Sequence, residues 1–499
     1  MSFPLGKPVL VMLLIAVAGG AGMVAWPAER RHADVRVWTF ADSHARSYDA
    51  VLPAYHAANP GVTADVEIVA YNALNVRLIS MFMSGRRGAD APDLAEVEIG
   101  AVGQYFRPPV REVGFLSLDD FLRNSGAREI PSVDAPGERG WNARLAGTTD
   151  VYTHDGTAWA RNPARATPDM WIDRIVAART APWTKDGRIF GVPHDVHPVV
   201  LAYRHDLFTE AGVDLPAATT WPAFHDACLR FQQYWAAKGF PYRHAVELTE
   251  AKADQLLILL NQQNINPVDD RGQIHLTDPK VARTIAFYAQ MVKGHRQVAG
   301  ESPGGAANFV QDLVNGNVCA FLMADWRLND LKKHGGPGMA GKMRVMPLPV
   351  FDPATDAPTA TWGGTMMGIL KSCPDPQRAW SLLEHLYFSP AALEARLAET
   401  DILPPVRDVW GAPHYHRPDP FFGGQRVYEL LIDLADRIPV RYVSPATALA
   451  NQYLTIVVTR AVRYCEQRGS ADGLEPLVQL WLADAAVDLE RRIEHTRIE

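Results

Sequence analysis

The sequence predicts an α/β protein of two lobes whose segments interleave along the chain. Three observations carry this. Short alternating strand patterns followed by helix-start signals recur at residues 34–40 and 62–69. Amphipathic helical patterns then fill the middle of the chain, and another strand pattern returns at 366–371. Segments that interleave in this way join two lobes by two or three crossovers, and a cleft between such lobes can close on a ligand by hinge motion.

The elements come in a simple order. Residues 34–40 alternate like a half-buried strand and run into Ala41-Asp42-Ser43-His44, whose polar groups start a helix over 45–59. Asn59-Pro60-Gly61 breaks that helix before the strand at 62–69, and the β-α-β rhythm implies a parallel sheet. A helix runs from about Tyr71 through Met83, and a third strand places Glu96 and Glu98 on one face. Between 104 and 184 the pattern loosens into short helices and Gly/Pro/Asp-rich loops, an insertion or a hinge-proximal segment. Residues 188–224 are the stretch around which the chain is arranged: the turn Gly191-Val192-Pro193 delivers Asp195 and His197 ahead of a buried strand at 199–203. Thr220-Trp221-Pro222 then opens a helix with no ligand role. Further helical patterns at 224–238, 251–263 and 280–293 precede a strand at 318–323 that ends on Asp325-Trp326. Trp362-Gly363-Gly364 leads into the strand at 366–371, and the tail from 430 is mostly helical. The expected organisation is an export segment or anchor at 1–31, the first part of lobe 1 with its insertion at 32–190 and lobe 2 at 191–350. Residues 351–499 then supply a return strand to lobe 1 and helices shared by both lobes.

Composition narrows the function. The chain has 499 residues, of which 47% are hydrophobic and 21% charged, enough for two or three cores. A formal net charge of −7 without a long basic run argues against a nucleic-acid partner. Lys7 followed by an apolar run to Trp26 reads as an export signal, either cleaved or kept as an anchor. No cysteine lies in that run to carry a lipid. Cys228, Cys319, Cys373 and Cys465 are widely spaced, so neither zinc nor an obligatory disulfide is expected. The glycine loop 336–342 lacks the Ser or Thr and the leading strand of a phosphate loop, and His414-Tyr415-His416 lacks a third metal ligand nearby. No metal or other cofactor is expected.

Several segments in a fixed order resemble one family. Gly191-Val192-Pro193 with Asp195, Tyr203-Arg204, Leu207-Phe208, Ala211-Gly212, Pro216 and Thr220-Trp221-Pro222-Ala223-Phe224 are similar to the central signature of type-1, maltose-binding-like extracellular solute-binding proteins. Val37-Trp38-Thr39, Asn59-Pro60-Gly61, Ala91-Pro92-Asp93, Asp325-Trp326, Pro347-Leu348-Pro349 and Trp362-Gly363-Gly364 fit the same pattern, which covers roughly residues 34–405. The resemblance implies a bilobal periplasmic-binding-protein fold without catalysis. It also implies a periplasmic monomer that delivers a sugar to the permease subunits, and through them the ATPase, of an ABC importer.

Sugars offer apolar C–H faces to aromatic rings and hydroxyls to carboxylates, amides and imidazoles. Trp326 and Trp362 are the candidate ring platforms, with Gly364 allowing close backbone approach. Asp42, Glu98, Asp195 and His197 are the candidate hydroxyl partners, and Tyr71 and Trp38 further walls. Each has a structural alternative. Trp38 and Trp326 fit core packing, Asp42 a helix cap, Asp195 a turn cap, His197 a bond to backbone, and Glu98 a solvated strand face. A sugar-sensing receptor and a secreted glycosidase are the functional alternatives, the second requiring two opposed carboxylates.

Overall fold

The computed structural model describes residues 33–88, 90–124, 150–154, 159–166, 171–302 and 306–497, together with Met12. The export segment predicted at 1–31 therefore lies outside the described residues, Met12 excepted, as does much of the 104–184 segment. Among the described residues no helix is long and apolar enough to cross a membrane.

Two sheets build two lobes. In the first, strands Val35–Thr39, Ala64–Ile68 and Leu94–Glu98 pair in parallel with Val35–Thr39 in the middle, as the β-α-β rhythm requires. The late strand Thr365–Ile369 then adds antiparallel, with Thr365 opposite Glu98, and the short strand Val192–Pro193 closes the edge beside it. Val192–Pro193 thus belongs to the first sheet, although the sequence places 191 at the start of lobe 2. In the second lobe, strand Val200–Arg204 is central and antiparallel to both Ala320–Met323 and Met343–Met346. The parallel pairing read from the early rhythm stops at this lobe. Its two outer strands are joined by helix Asp325–Gly335 and run the same way on either side of a central strand that arrives from lobe 1.

Alternation explains the packing. Val199, Leu201 and Tyr203 point into one lobe-2 core, and Val200 and Ala202 into another on the opposite face, all of them buried. Helix Trp221–Ala237 starts at Thr220, whose hydroxyl accepts the Ala223 N–H at 3.3 Å, with Pro222 in its first turn. Trp221 is buried, and its ring N–H donates to Gln262. The C-terminal helices Thr447–Arg468 and Leu474–Arg497 pack on lobe 2, whereas helix Pro376–Phe388 packs on lobe 1. All four cysteines are buried and free.

The chain passes between the two sheets near residues 194–199 and again between Met346 and Thr365, and a buried charge cluster ties these passages to Leu403. Arg179, fully buried, donates to both Asp195 Oδ1 (2.6 Å) and the Asp195 carbonyl (3.0 Å), and to Thr361 Oγ1 (2.7 Å). Asp195 Oδ2 accepts the Thr365 N–H (3.0 Å) and contacts His197 Nε2 (3.1 Å). The other ring nitrogen of His197 meets Asp325 Oδ1 at 2.5 Å, and Asp325 Oδ2 accepts the Leu403 N–H at 2.8 Å. His197 holds a left-handed backbone (φ 55°), a strained conformation for a non-glycine residue that its two carboxylate bonds over-determine. Burial alone would lower its pKa, but Asp195 and Asp325 outweigh burial and raise it to about 9. Burial would likewise raise the Asp195 pKa, but His197 and Arg179 hold it well below the usual carboxylate range.

Leu201→Ala, in the central strand of lobe 2, should cost about 2–5 kcal/mol in chemical denaturation; a loss below about 1 kcal/mol would show that the site repacks. The His197 pKa lies above its unfolded value near 6.5, so its stabilisation is complete below pH 6.5 and disappears as pH rises through about 9. Stability should therefore fall by on the order of 3 kcal/mol between pH 6.5 and about pH 10. His197→Asn should flatten that slope and lower Tm at neutral pH, and an unchanged slope would remove His197 as its source.

Candidate functional site

The cleft is assembled from strand ends. Strand Leu94–Glu98 finishes on Glu98, whose Oε2 accepts the Gly100 N–H at 2.7 Å and so caps helix Ile99–Tyr105. The Tyr71 hydroxyl, at the start of helix Tyr71–Ser84, donates to the same oxygen at 3.2 Å, and Phe40 packs edge-on against the Tyr71 ring at 5.4 Å. Burial raises the Glu98 pKa, opposed by the Gly100 N–H, the field of Arg441 and Tyr71. Burial and the Glu98 charge lift Tyr71 to about 12, so the phenol remains a donor.

Opposite Glu98 in the sheet register stands Thr365, preceded by Trp362-Gly363-Gly364. The Gly364 carbonyl accepts the Ile99 N–H at 2.9 Å. Gly364 has φ 131°, and a Cβ there would lie 1.9 Å from Arg179 Nη2, so the buried guanidinium occupies the space that a side chain would need. The Asp325-Trp326 helix start brings the Trp326 ring to 5.7 Å from Trp362 at 68°, with its N–H 3.4 Å from the Trp362 carbonyl. The Arg327 guanidinium lies 5.4 Å over the Trp362 ring and is fixed by an ion pair with Glu247 at 2.7 Å. Both tryptophans are half-buried, so each keeps an accessible surface.

Two recesses open along this line. The first is walled by Asp254, Ile258, Asn261, Thr361, Trp362 and Arg441. The second lies between helix Ile99–Tyr105 and residues 443–451 and shares Arg441.

The other sequence candidates fall elsewhere. Trp38 is 4% exposed in the lobe-1 core, with its ring N–H on Glu67 at 2.9 Å; the apolar alternation of its strand turns it inward, so it is not a cleft wall. Asp195 and His197 are buried in the charge cluster between the crossovers, and their polar atoms are committed there rather than offered to a ligand. They stand directly behind the platform, since a Cβ on Gly363 would lie 3.9 Å from both His197 Cδ2 and Trp326 Nε1. Asp42 is exposed in the first turn of helix Asp42–Asp49, pairs with Arg46, and does not cap the helix. The structure thus brings Tyr71, Glu98, Trp326, Trp362 and Gly364 into one region, with Trp38 in the lobe-1 core, Asp42 on the surface, and Asp195 and His197 in the buried charge cluster.

Glu96, two residues before Glu98 on the same strand, is wholly buried rather than solvated. Its carboxylate accepts from the Thr39 and Tyr48 hydroxyls, from Tyr387 at 3.1 Å and from His44 Nδ1 at 3.1 Å. With His44 and His194 it is the group among the described residues whose chemistry suits a metal. The two imidazoles are stacked at 3.9 Å and 21°, however, so their lone pairs run side by side instead of converging, and the Glu96 oxygens are already filled. The arrangement is a polar core under the first sheet.

Arg441, Asn261 and Asp254 were not found by sequence reasoning. Arg441 sits between helices Val427–Ala435 and Thr447–Arg468, where the helical reading of the tail gave it no role. Its cue is a lone cation in the apolar loop Pro439-Val440-Arg441-Tyr442-Val443. Asn261 is 4% exposed on helix Asp254–Gln262 among buried leucines, and a buried amide on an apolar helix face requires a partner.

Comparison with known proteins agrees with this architecture. An arabinooligosaccharide-binding protein of Halalkalibacterium halodurans is 27% identical over 301 residues, covering 58% of this chain and 65% of that protein. Another from Bacillus subtilis is 23% identical over 472 residues, covering 91% and 92%. Among solved structures, the sugar-binding protein MalE from Xanthomonas citri superposes with a TM-score of 0.63 at 19% identity, covering 91% of this chain and 99% of the other. A structure described as extracellular solute-binding protein family 1 gives 0.65 at 16% identity, covering 91% and 99%. These likenesses show the bilobal α/β fold. The family model for bacterial extracellular solute-binding proteins matches residues 141–417, more than half of the chain, and the chain belongs to that family.

Proposed function

We propose that this protein captures a sugar, an oligosaccharide or a sugar derivative, in the cleft between its lobes and hands it to the permease of an ABC importer. One observation carries the reading. The half-buried ring of Trp362, braced by Arg327 and by Trp326 from helix Asp325–Gly335, walls a recess that also presents Asn261, Asp254 and Arg441. Apolar ring surface beside mixed donors and acceptors is what a pyranose or furanose presents in complement: C–H faces to stack and hydroxyls to bond. The names of the relatives support the same class, two being arabinooligosaccharide-binding and a third, from Rhizobium radiobacter, lactose-binding. In this reading the apolar segment before residue 32 serves export and the protein works outside the cytoplasm. The charge cluster at the crossovers sets the hinge about which the lobes close.

A thermal-shift screen over neutral oligosaccharides should find a ligand that raises Tm by mass action. No shift across arabinooligosaccharides, galactosides and maltodextrins would defeat the sugar reading. Trp362→Ala should weaken the bound sugar by about 1–3 kcal/mol in calorimetry with little change in the Tm of the ligand-free protein. Full affinity with a lowered Tm would assign Trp362 to packing instead.

A further inference from the structure

Residues 440–445 form a strap fastened to both lobes. On lobe 2, the Asn266 side-chain amide donates to the Val440 carbonyl at 3.0 Å and accepts the Tyr442 N–H at 3.0 Å, gripping the backbone on either side of Arg441. On lobe 1, the Ser444 carbonyl fills the space beside Gly103 of helix Ile99–Tyr105, where a Cβ would come within 2.4 Å of it. Arg441 lies between these two anchors and lines both recesses. Its guanidinium makes no hydrogen bond or ion pair among the described residues, although it feels the carboxylates of Glu98 from lobe 1 and Asp254 from lobe 2. Asn261 Nδ2, buried in the wall of the first recess, likewise has no hydrogen-bond partner there, while its Oδ1 is used by the Thr361 N–H at 3.2 Å. Two donor groups are therefore left for acceptor oxygens of a ligand, near the carboxylates of Glu98 and Asp254, while the neighbouring cations Arg179 and Arg327 are already paired with Asp195 and Glu247.

We infer that Arg441 is a specificity-determining residue that hydrogen-bonds the oxygens of a neutral sugar, and that Asn266 is the positioning residue that aims it. The inference rests on the sugar reading above and adds the charge class of the ligand and the residue that reads it. A neutral sugar satisfies the alternation of acceptor (Glu98), donor (Arg441) and acceptor (Asp254), because a hydroxyl both donates and accepts. A uronic-acid residue pairs with Arg441 but sets its carboxylate against two others in a partly desolvated cleft, so it is disfavoured. Because the strap is pinned to both lobes, a sugar held by Arg441 engages both at once.

The test is calorimetry with arabinotriose, lactose and digalacturonate on the full chain. The wild type should bind at least one neutral sugar and bind digalacturonate at least tenfold more weakly. Arg441→Met should weaken the neutral sugar at least tenfold, and Asn266→Ala at least fivefold. The double variant should be no weaker than Arg441→Met alone, because Asn266 acts through Arg441; a merely structural Asn266 would add its own loss. Arg441→Gln replaces the Met variant if circular dichroism shows that the latter is unfolded. A wild type that binds no sugar, in this set or in the thermal-shift panel, overturns the sugar reading and this inference with it. Neutral-sugar binding within twofold of wild type in both Arg441 variants overturns the inference alone. Additive losses overturn the role of Asn266, and equal or tighter binding of digalacturonate overturns the neutral class.

Discussion

Two lobes joined by passing chain segments need a fixed junction, and here that junction is made of buried charge. Asp195 lies in the first passage between the lobes, Thr361 lies in the second with Thr365 just after it, and Asp325 starts the lobe-2 helix; Arg179 bonds Asp195 and Thr361, His197 bonds Asp195 and Asp325, and the two carboxylates accept the Thr365 and Leu403 N–H groups. Each member would be costly to bury by itself, since an unpaired ion in a protein interior loses several kcal/mol of solvation. Together the two carboxylates, the guanidinium and the protonated imidazole satisfy one another, and the cost of removing any one exceeds the worth of its own bonds. Charge pairing of this kind is directional, so the cluster fixes how the crossovers stack in a way that apolar packing could not.

The ligand surface inherits its geometry from that cluster. Gly364 can pass Arg179 only because it has no side chain, and its carbonyl in turn receives the N–H of Ile99, next to Glu98. Asp325, held by His197, sets the start of the helix that carries Trp326, and Trp326 meets Trp362 edge to face. The aromatic platform therefore rests on buried groups. This explains why Asp195 and His197 read as ligand residues from sequence. They lie in the right neighbourhood and have the right chemistry, but they stand one layer behind the surface.

The legibility of the fold tracked the physics of each segment. Alternation made the strands at 34–40, 62–69 and 199–203 readable, and Thr220-Trp221-Pro222 announced its helix because a capping hydroxyl and an N-terminal proline are local signals. The antiparallel lobe-2 sheet was hidden because strand direction depends on where a long helical excursion returns, which no local pattern records. Glu98, Tyr71 and the two tryptophans stood out as candidates because aromatic and acidic residues at strand ends and glycine turns are rare and suggestive, and the fold gathers them in one region. Trp38 misled for the same reason, as burial and not residue type decided its role. Arg441 was out of reach. It comes from the far end of the chain and joins the cleft through a strap whose position depends on Asn266, 174 residues before Val440.

The strap and the charge cluster impose different demands on the same hinge. The cluster is internally satisfied and holds the crossovers whether or not a ligand is present. Asn261 Nδ2 is buried without a partner among the described residues, which carries a desolvation cost of about 1–3 kcal/mol, and the half-buried Arg441 has no hydrogen bond or ion pair there. Closing the lobes on an empty cleft takes those donors further from water without giving them acceptors, while closing on a sugar supplies the acceptors. In the proposed reading, the free-energy difference between these two closures favours the closed form with ligand and the open form without it, which is the differential interaction that a ligand-driven hinge requires. Rigidity where the chain crosses and incompleteness where the ligand sits are thus complementary: the first keeps closure along one path, and the second makes closure conditional on cargo.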